Sequence, residues 1–353
     1  MIRKILLICC LVTVKGYSKR LCAQSRCDSL EQNWIPKVNG CAPKRGLEVS
    51  YKSSLDYNVH SKSDLIGPSQ DKIVQNRLFK LKLKVPMINR PNFKMIGGFH
   101  YSDEQFYFKN RLTNDYPLYQ GLDKKNLKSI GGTLYFMHRL KERSFFMLRL
   151  GASLKGDYWK EGIGDVAPGT FLKYEITPLI GWKVNPYKSW GLGVAYSYSF
   201  GDPLVFPVIA YNHSFNKKWG IEAFLPAKVK IRHKFNDLSF LSFTTKISGG
   251  SYSVHLDAPE LADFKTLELR RSELDFFFNL ERGITDWLWV DLTAGYRANL
   301  RFDVTNKKHD FTLSGQKIFN KDYLIDSFAD SGPFVKVSLF ISPSKKLLKK
   351  LGF

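Results

Sequence analysis

The segment WLWVDLTAGYRANLRFD, residues 287–303, alternates with period two over most of its length. Leu288, Val290, Leu292, Ala294, Tyr296, Ala298, Leu300 and Phe302 fall on one parity, and Asp291, Thr293, Gly295, Arg297, Asn299, Arg301 and Asp303 fall on the other. In a β-strand successive side chains point to opposite faces, so this segment has one oily face and one charged or small face. An average soluble strand has only about 5 or 6 residues, whereas a tilted strand needs about 9–11 to cross a bilayer. The length and the contrast between faces together point to a membrane-crossing strand.

The same alternation recurs along the chain. At 79–85, Phe79, Leu81, Leu83 and Val85 oppose Lys80, Lys82 and Lys84. Residues 46–59, 146–155, 174–184 and 219–232 repeat it. In WGLGVAYSYSFG (190–201), Trp190, Leu192, Val194, Tyr196, Tyr198 and Phe200 face away from glycine, alanine and serine only. That reading puts the large set, Tyr198 and Phe200 included, against lipid, and leaves the interior beside this strand to water, a ligand, a loop or long side chains from opposite strands such as Lys80–Lys84.

Thirteen candidate strands follow from the pattern. An even-stranded barrel requires merging, dropping or adding one, and the expectation is an all-β, transmembrane, antiparallel up-and-down barrel of about 12 strands, within a range of 10–14. Short turns at 89–92, 141–143, 185–188, 216–218 and 283–286 alternate with longer polar loops near 60–75, 103–128, 157–170 and 304–332. Trp182, Trp190, Trp219, Trp287 and Trp289 lie beside short turns, where an aromatic girdle would meet the headgroups. Pro178, Pro207 and Pro226 fall inside expected strands, and each should mark a bulge or irregular pairing because proline lacks a ladder donor.

The termini complete the organisation. Arg3 and Lys4 precede the apolar run Ile5–Val14, and RLCAQS offers a cleavage point after Ala23, so residues 1–23 read as an export signal. Residues 24–45 read as a periplasmic lead, 46–342 as the barrel and 343–353 as a short basic tail. Removing the signal leaves Cys27 and Cys41, which form either one disulfide or two free thiols. No cysteine or histidine cluster has metal-ligand spacing, and no cofactor is expected.

The formal charge is +22, of which the signal holds five positives and no acid. Alternation directs the charges inward. Lys80, Lys82, Lys84, Arg149, Lys173, Lys183, Lys228, Lys230, Arg232, Arg297 and Arg301 would line the lumen with Glu175, Glu222, Glu273, Asp275, Glu281 and Asp291. An open lumen of that composition favours anions; the alternative is a filled interior in which the charges pair and nothing passes. No catalytic residue is expected. Asn212, His213 and Ser214 would suit a lipid hydrolase by type, but three consecutive strand residues do not share a face. A soluble basic protein binding nucleic acid would need its bases on an exposed face, so no nucleic-acid partner is expected. The expected partners are outer-membrane lipid and lipopolysaccharide, the barrel-assembly machinery, and a small-molecule or anion ligand of unknown identity.

Residues 190–235, and in particular Gly191–Phe200, PLVFPVIAYNH (203–213) and WGIEAFLPAKV (219–229), resemble an uncharacterised family of outer-membrane β-barrel proteins found in Bacteroidota. The resemblance implies a barrel in the outer membrane and supplies no catalytic residues.

Overall fold

In the computed structural model, which describes residues 36–157, 171–264, 267–306 and 323–342, antiparallel pairing runs without a break around a closed ring. The strands are β1 (Leu47–Ser54), β2 (Tyr57–Ser63), β3 (Gly67–Asn89), β4 (Phe93–Phe108), β5 (Leu127–Arg139), β6 (Ser144–Gly156), β7 (Leu172–Asn185), β8 (Lys188–Ser197), β9 (Leu204–Ser214), β10 (Trp219–Leu225), β11 (Lys228–Asn236), β12 (Ser239–Val254), β13 (Leu267–Gly283), β14 (Leu288–Thr305), β15 (Asp326–Ala329) and β16 (Gly332–Ile341). One helix, α1 (Pro117–Lys124), stands between β4 and β5. β3 to β14 pair in sequence order, β14 pairs with β16, β16 with β1, and β1 with β3. Fourteen strands form the barrel; β2 and β15 are additional strands beside it.

The ring reaches fourteen strands, the top of the expected range, because each of the thirteen candidates contributes to it and residues 218–234 are a hairpin and not one strand. β10 and β11 turn at Pro226 and Ala227, with Phe224 opposite Lys228. Proline fits a turn where it would break a ladder. At Pro178 the β7–β8 ladder lapses between the pairs Ile176–Tyr196 and Leu179–Gly193. Pro207 pairs with Val194, just beyond the last β9–β10 pair at Ile209 and Leu225.

Alternation sets the faces. Leu280, Leu292, Val337, Tyr51 and Phe79 are register partners on successive strands β13, β14, β16, β1 and β3, and all five are exposed. This continuous oily belt surrounds a wall whose other face is polar, as a lipid-facing barrel requires. At the short-turn end Trp182 stacks on Trp190 at 4.5 Å, and Trp219, Trp287 and Tyr187 are exposed nearby. Trp289 departs from the expected girdle: it points inward, 3% exposed, between Phe240 and Phe340. No helix among the described residues is long and apolar enough to cross a membrane.

The long-loop end folds into a cap. β3, β13 and β14, of 23, 17 and 18 residues, rise well above β8, β10 and β11, of 10, 7 and 9. The tops of β12 and β6 meet at Ser253 and Gly156, β15 pairs with β2, and Val304 bridges to Ile325. These links close the tall strands over an apolar core containing Tyr57, Phe106, Leu118, Tyr119, Leu269 and Phe302. Three expectations change as a result. Residues 60–75 and 103–128 are largely strand and helix rather than loop. The 46–59 stretch is two strands, with Tyr57 and Val59 buried in the cap. Phe302 is buried there too instead of facing lipid, following a register shift opposite Ser272 and Glu273.

Candidate functional site: the barrel lumen

The lumen is built from the polar parity of the strands, and most of its charges are matched. Arg149 reaches Glu175 at 2.8 Å, Lys173 reaches Glu268 at 2.6 Å, and Lys230 reaches Glu281 at 3.3 Å. Arg232 pairs with Glu222 at 3.2 Å, and Asp275 with Lys52 at 3.1 Å. Arg301 binds Asp303 at 2.6 Å and also Asp202, which the β8–β9 loop carries in from the opposite wall. Arg297 donates to Asn76 at 3.1 Å and lies 3.5 Å from Glu273. Arg271 holds Glu104 at 2.6 Å and also Glu273. Buried charges without such partners cost several kcal/mol, which is why the lumenal bases and acids interleave.

Four lysines break this pattern. Lys80, Lys82, Lys228 and Lys246 have no acid within 4 Å among the described residues. Lys228 and Lys246 are direct cross-strand partners, and Lys246 is within electrostatic range of Lys80 and Lys82. Lys82 stands opposite Glu48 and Lys246 opposite Asp275, without closing to ion-pair distance. Lys84, expected with them, is exposed, its ammonium 5.3 Å from the Tyr135 ring.

A strap closes the short-turn mouth. Its carbonyls at Pro36, Lys37, Asn39 and Gly40 accept from Ser189 Oγ, Lys183 Nζ, Ser214 Oγ and Arg232 Nη1 in turn. Across the ring Arg45 binds Glu48, Glu281 and Asp291 at 2.9, 2.6 and 2.5 Å. Residues 36–45, the described part of the segment expected as a periplasmic lead, thus cross the barrel end from β7–β11 to β13–β14. Cys41 lies in it as a free thiol. Burial and the nearby Glu222 push its pKa up, so it stays protonated and unreactive at neutral pH. Cys27, the signal and the basic tail lie outside the described residues.

The small face of β8 is not filled from across the lumen. Leu179 of β7 lies where a Cβ on Gly191 would stand, at 2.7 Å, and Phe145 of β6 occupies the space beside Gly181, at 2.3 Å. Neighbouring strands therefore supply an apolar cluster of Phe145, Leu179, Ala195 and Val208. Tyr198, expected against lipid, lies past the end of β8 and is buried inward at 6% exposure, with Phe200 in the bend beside it.

Ser214 faces inward to Arg232 and Asn39, whereas His213 lies on the other face beside Tyr211 and Phe215. Asn212, His213 and Ser214 do not converge. No group of three or more His, Cys, Asp and Glu side chains among the described residues is placed to hold a metal.

Lys246, Lys52, Arg271 and Arg45 are among the lumenal groups missing from the sequence reading, as are the acids Glu48, Glu104, Asp202, Glu268 and Asp303. Lys246 follows Ser242 and Thr244 on the polar parity of β12, a pattern open to view in the sequence. Arg45 gave no such signal, because it precedes the first alternating strand.

The sequence match now bears on this architecture. Residues 113–337, more than half of the chain, match a family described as a domain of unknown function, DUF6268. The chain belongs to the DUF6268 family. The match runs from the segment before α1 into β16 and so takes in most of the barrel wall. No curated protein matches the sequence. Among solved structures, similar barrels include a Pseudomonas aeruginosa FadL homologue (10% identity, 85% of this chain and 90% of that one, TM-score 0.42). An outer-membrane channel from Pseudomonas putida F1 (8%, 87% and 99%, 0.40) and the Pseudomonas putida toluene transporter TodX (9%, 83% and 89%, 0.34) are others. The barrel assignment for this DUF6268 member rests on its own closed ring of strands, and these likenesses say nothing about cargo.

The cap carries one pH-sensitive joint. At the β6–β12 junction Asp157 accepts from the His255 backbone N–H at 2.8 Å and contacts its Nδ1 at 3.0 Å. That hydrogen bond, opposed by burial and reinforced by the Asp157 charge, raises the His255 pKa. A raised histidine pKa stabilises the fold fully below the unfolded value and loses that contribution as pH climbs through the folded one. The His255 side chain is 39% exposed, so the effect is small. Backbone hydrogen exchange at Asp157 and His255, corrected for intrinsic rate, is expected to accelerate as pH rises above the usual histidine range and to stay flat in His255→Gln.

Proposed function

We propose that this chain is an outer-membrane barrel without catalytic chemistry that admits small anions to a narrow lumen, with the strap below and the cap above as its closures. Export by the N-terminal signal, insertion by the assembly machinery and a lipopolysaccharide-facing belt belong to the same reading. One observation carries it: Lys80, Lys82, Lys228 and Lys246 face the lumen without ion-pair partners among the described residues, while most bases around them are matched. A cluster of uncompensated ammonium groups attracts anions and repels cations.

Planar-bilayer recording across a potassium chloride gradient tests this. The reversal potential is expected on the chloride side, and Lys→Gln changes at all four positions together are expected to bring it close to zero. A reversal potential on the potassium side contradicts the proposal, as does silence from a barrel whose folding is verified by heat-modifiable gel mobility, both with and without the strap. The well-packed cap favours a second reading, a closed barrel that binds its ligand from outside. That version predicts silence in both forms.

A further inference from the structure

Beneath the cap lies a cavity of about 80 Å³, lined by Lys52, Lys80, Ser248, Tyr252, Arg271 and Arg297 among others. Arg271 Nε, Arg297 Nε and Arg297 Nη2 are sealed in the wall with no acceptor among the described residues, so the wall is cationic with its hydrogen bonds incomplete. Lys80, which lines the cavity and has no acid within 4 Å among the described residues, is the cation left to meet an anion there. Glu104 and Glu273, which also line the cavity, are already held by Arg271, Asn76 and Arg297.

The charge next to the chamber has the same sign. Lys246 lies within electrostatic range of Lys80, Lys82 and Lys228, and Lys228 is its direct partner across the β11–β12 ladder. Like charges directly opposite one another on a ladder destabilise it. A chloride ion would offset one of them. An anion with several oxygens and more than one negative charge would offset several at once and accept from more than one ammonium.

We infer that this chamber, walled by Lys80, Arg271 and Arg297 and flanked by Lys82, Lys228 and Lys246, is a binding site for a compact, multiply charged oxyanion of the phosphate class. The inference rests on the anion reading above and adds the ligand's charge and shape. A cavity of that size has room for ordered water or for one tetrahedral oxyanion. Arginine N–H groups and lysine ammoniums are the usual donors to such oxygens.

The test is calorimetric titration of the folded, full-length barrel in detergent with inorganic phosphate and pyrophosphate, against chloride at matched ionic strength. Saturable binding of one phosphate per barrel is expected, with pyrophosphate, which carries two tetrahedra, binding less tightly. Lys80→Gln combined with Lys246→Gln is expected to weaken it at least about tenfold. Lys84→Gln, an equal charge change on β3 at an exposed position, is expected to leave it unchanged. Absence of saturable heat overturns the inference, and so does a loss in Lys84→Gln as large as in the double variant. Retention of chloride-side reversal potentials alongside absent binding sinks this site alone, whereas loss of both sinks the anion reading with it.

Discussion

Removing residues 24–44 is expected to raise the mean conductance of the barrel in planar bilayers at least about tenfold and to keep its anion preference. The strap spans the barrel end, taking hydrogen bonds from β7, β8, β9 and β11 through four successive carbonyl contacts before Arg45 anchors it to β13 and β14. Its removal clears that mouth. It also releases Lys183 and Arg232 from the Lys37 and Gly40 carbonyls while taking Lys37 and Lys44 away, so the entrance stays cationic. Arg45 is retained in this variant, so Glu281 and Asp291 keep their counter-charge and the ring keeps its stability. Unchanged conductance from the truncated, folded barrel would mean that the strap does not limit the path.

The largest stability effect is expected at Arg271. Its guanidinium binds Glu104 at 2.6 Å and also Glu273, and it lies 5.2 Å from the centre of the Phe106 ring. All three charged side chains are buried or nearly so. Breaking a buried charge cluster by removing one member leaves the others desolvated and unpaired, at a cost of about 3–5 kcal/mol. Arg271→Met should therefore lower the urea midpoint of the detergent-folded barrel by a margin well beyond that of Arg149→Met, whose pair with Glu175 is part-exposed and is worth about 1 kcal/mol or less. Adding Glu104→Gln to Arg271→Met should recover part of the loss, because a neutral amide is far cheaper to bury than a lone carboxylate. Equal midpoints for Arg271→Met and Arg149→Met would contradict this picture of the lumen.

The wall of the barrel was legible because a strand with one face in lipid and one in a polar lumen must alternate. Leu292, Val337 and Phe79 could be assigned to lipid from parity alone, and Glu281 and Asp291 to the interior. Three kinds of feature escaped that rule. The β10–β11 turn at Pro226 and Ala227 interrupts neither the apolar nor the basic run, so 218–234 reads as one strand until pairing is seen. In the cap both faces of a strand are buried, so parity no longer separates lipid from interior; Tyr57, Val59 and Phe302 read as membrane-facing for that reason. The strap is irregular backbone held by carbonyl contacts, and no side-chain pattern announces such contacts. In the lumen, sequence gave the identity of the charges without their pairing. That Lys173 meets Glu268 while Lys80 meets no acid depends on the curvature of the ring, which the one-dimensional pattern does not contain.

The central claim is that one parity of each wall strand faces hydrocarbon and the other an aqueous lumen. Spin labels placed singly at positions 290–297 of β14, in a chain begun at residue 24 with Cys27→Ser and Cys41→Ser and refolded into lipid, test it by their relaxation with oxygen and with a water-soluble nickel chelate. The account predicts a two-residue oscillation, with oxygen favoured at 290, 292, 294 and 296 and at none of the residues between them. Uniform accessibility, or oxygen favoured at 291, 293 and 297, would contradict it.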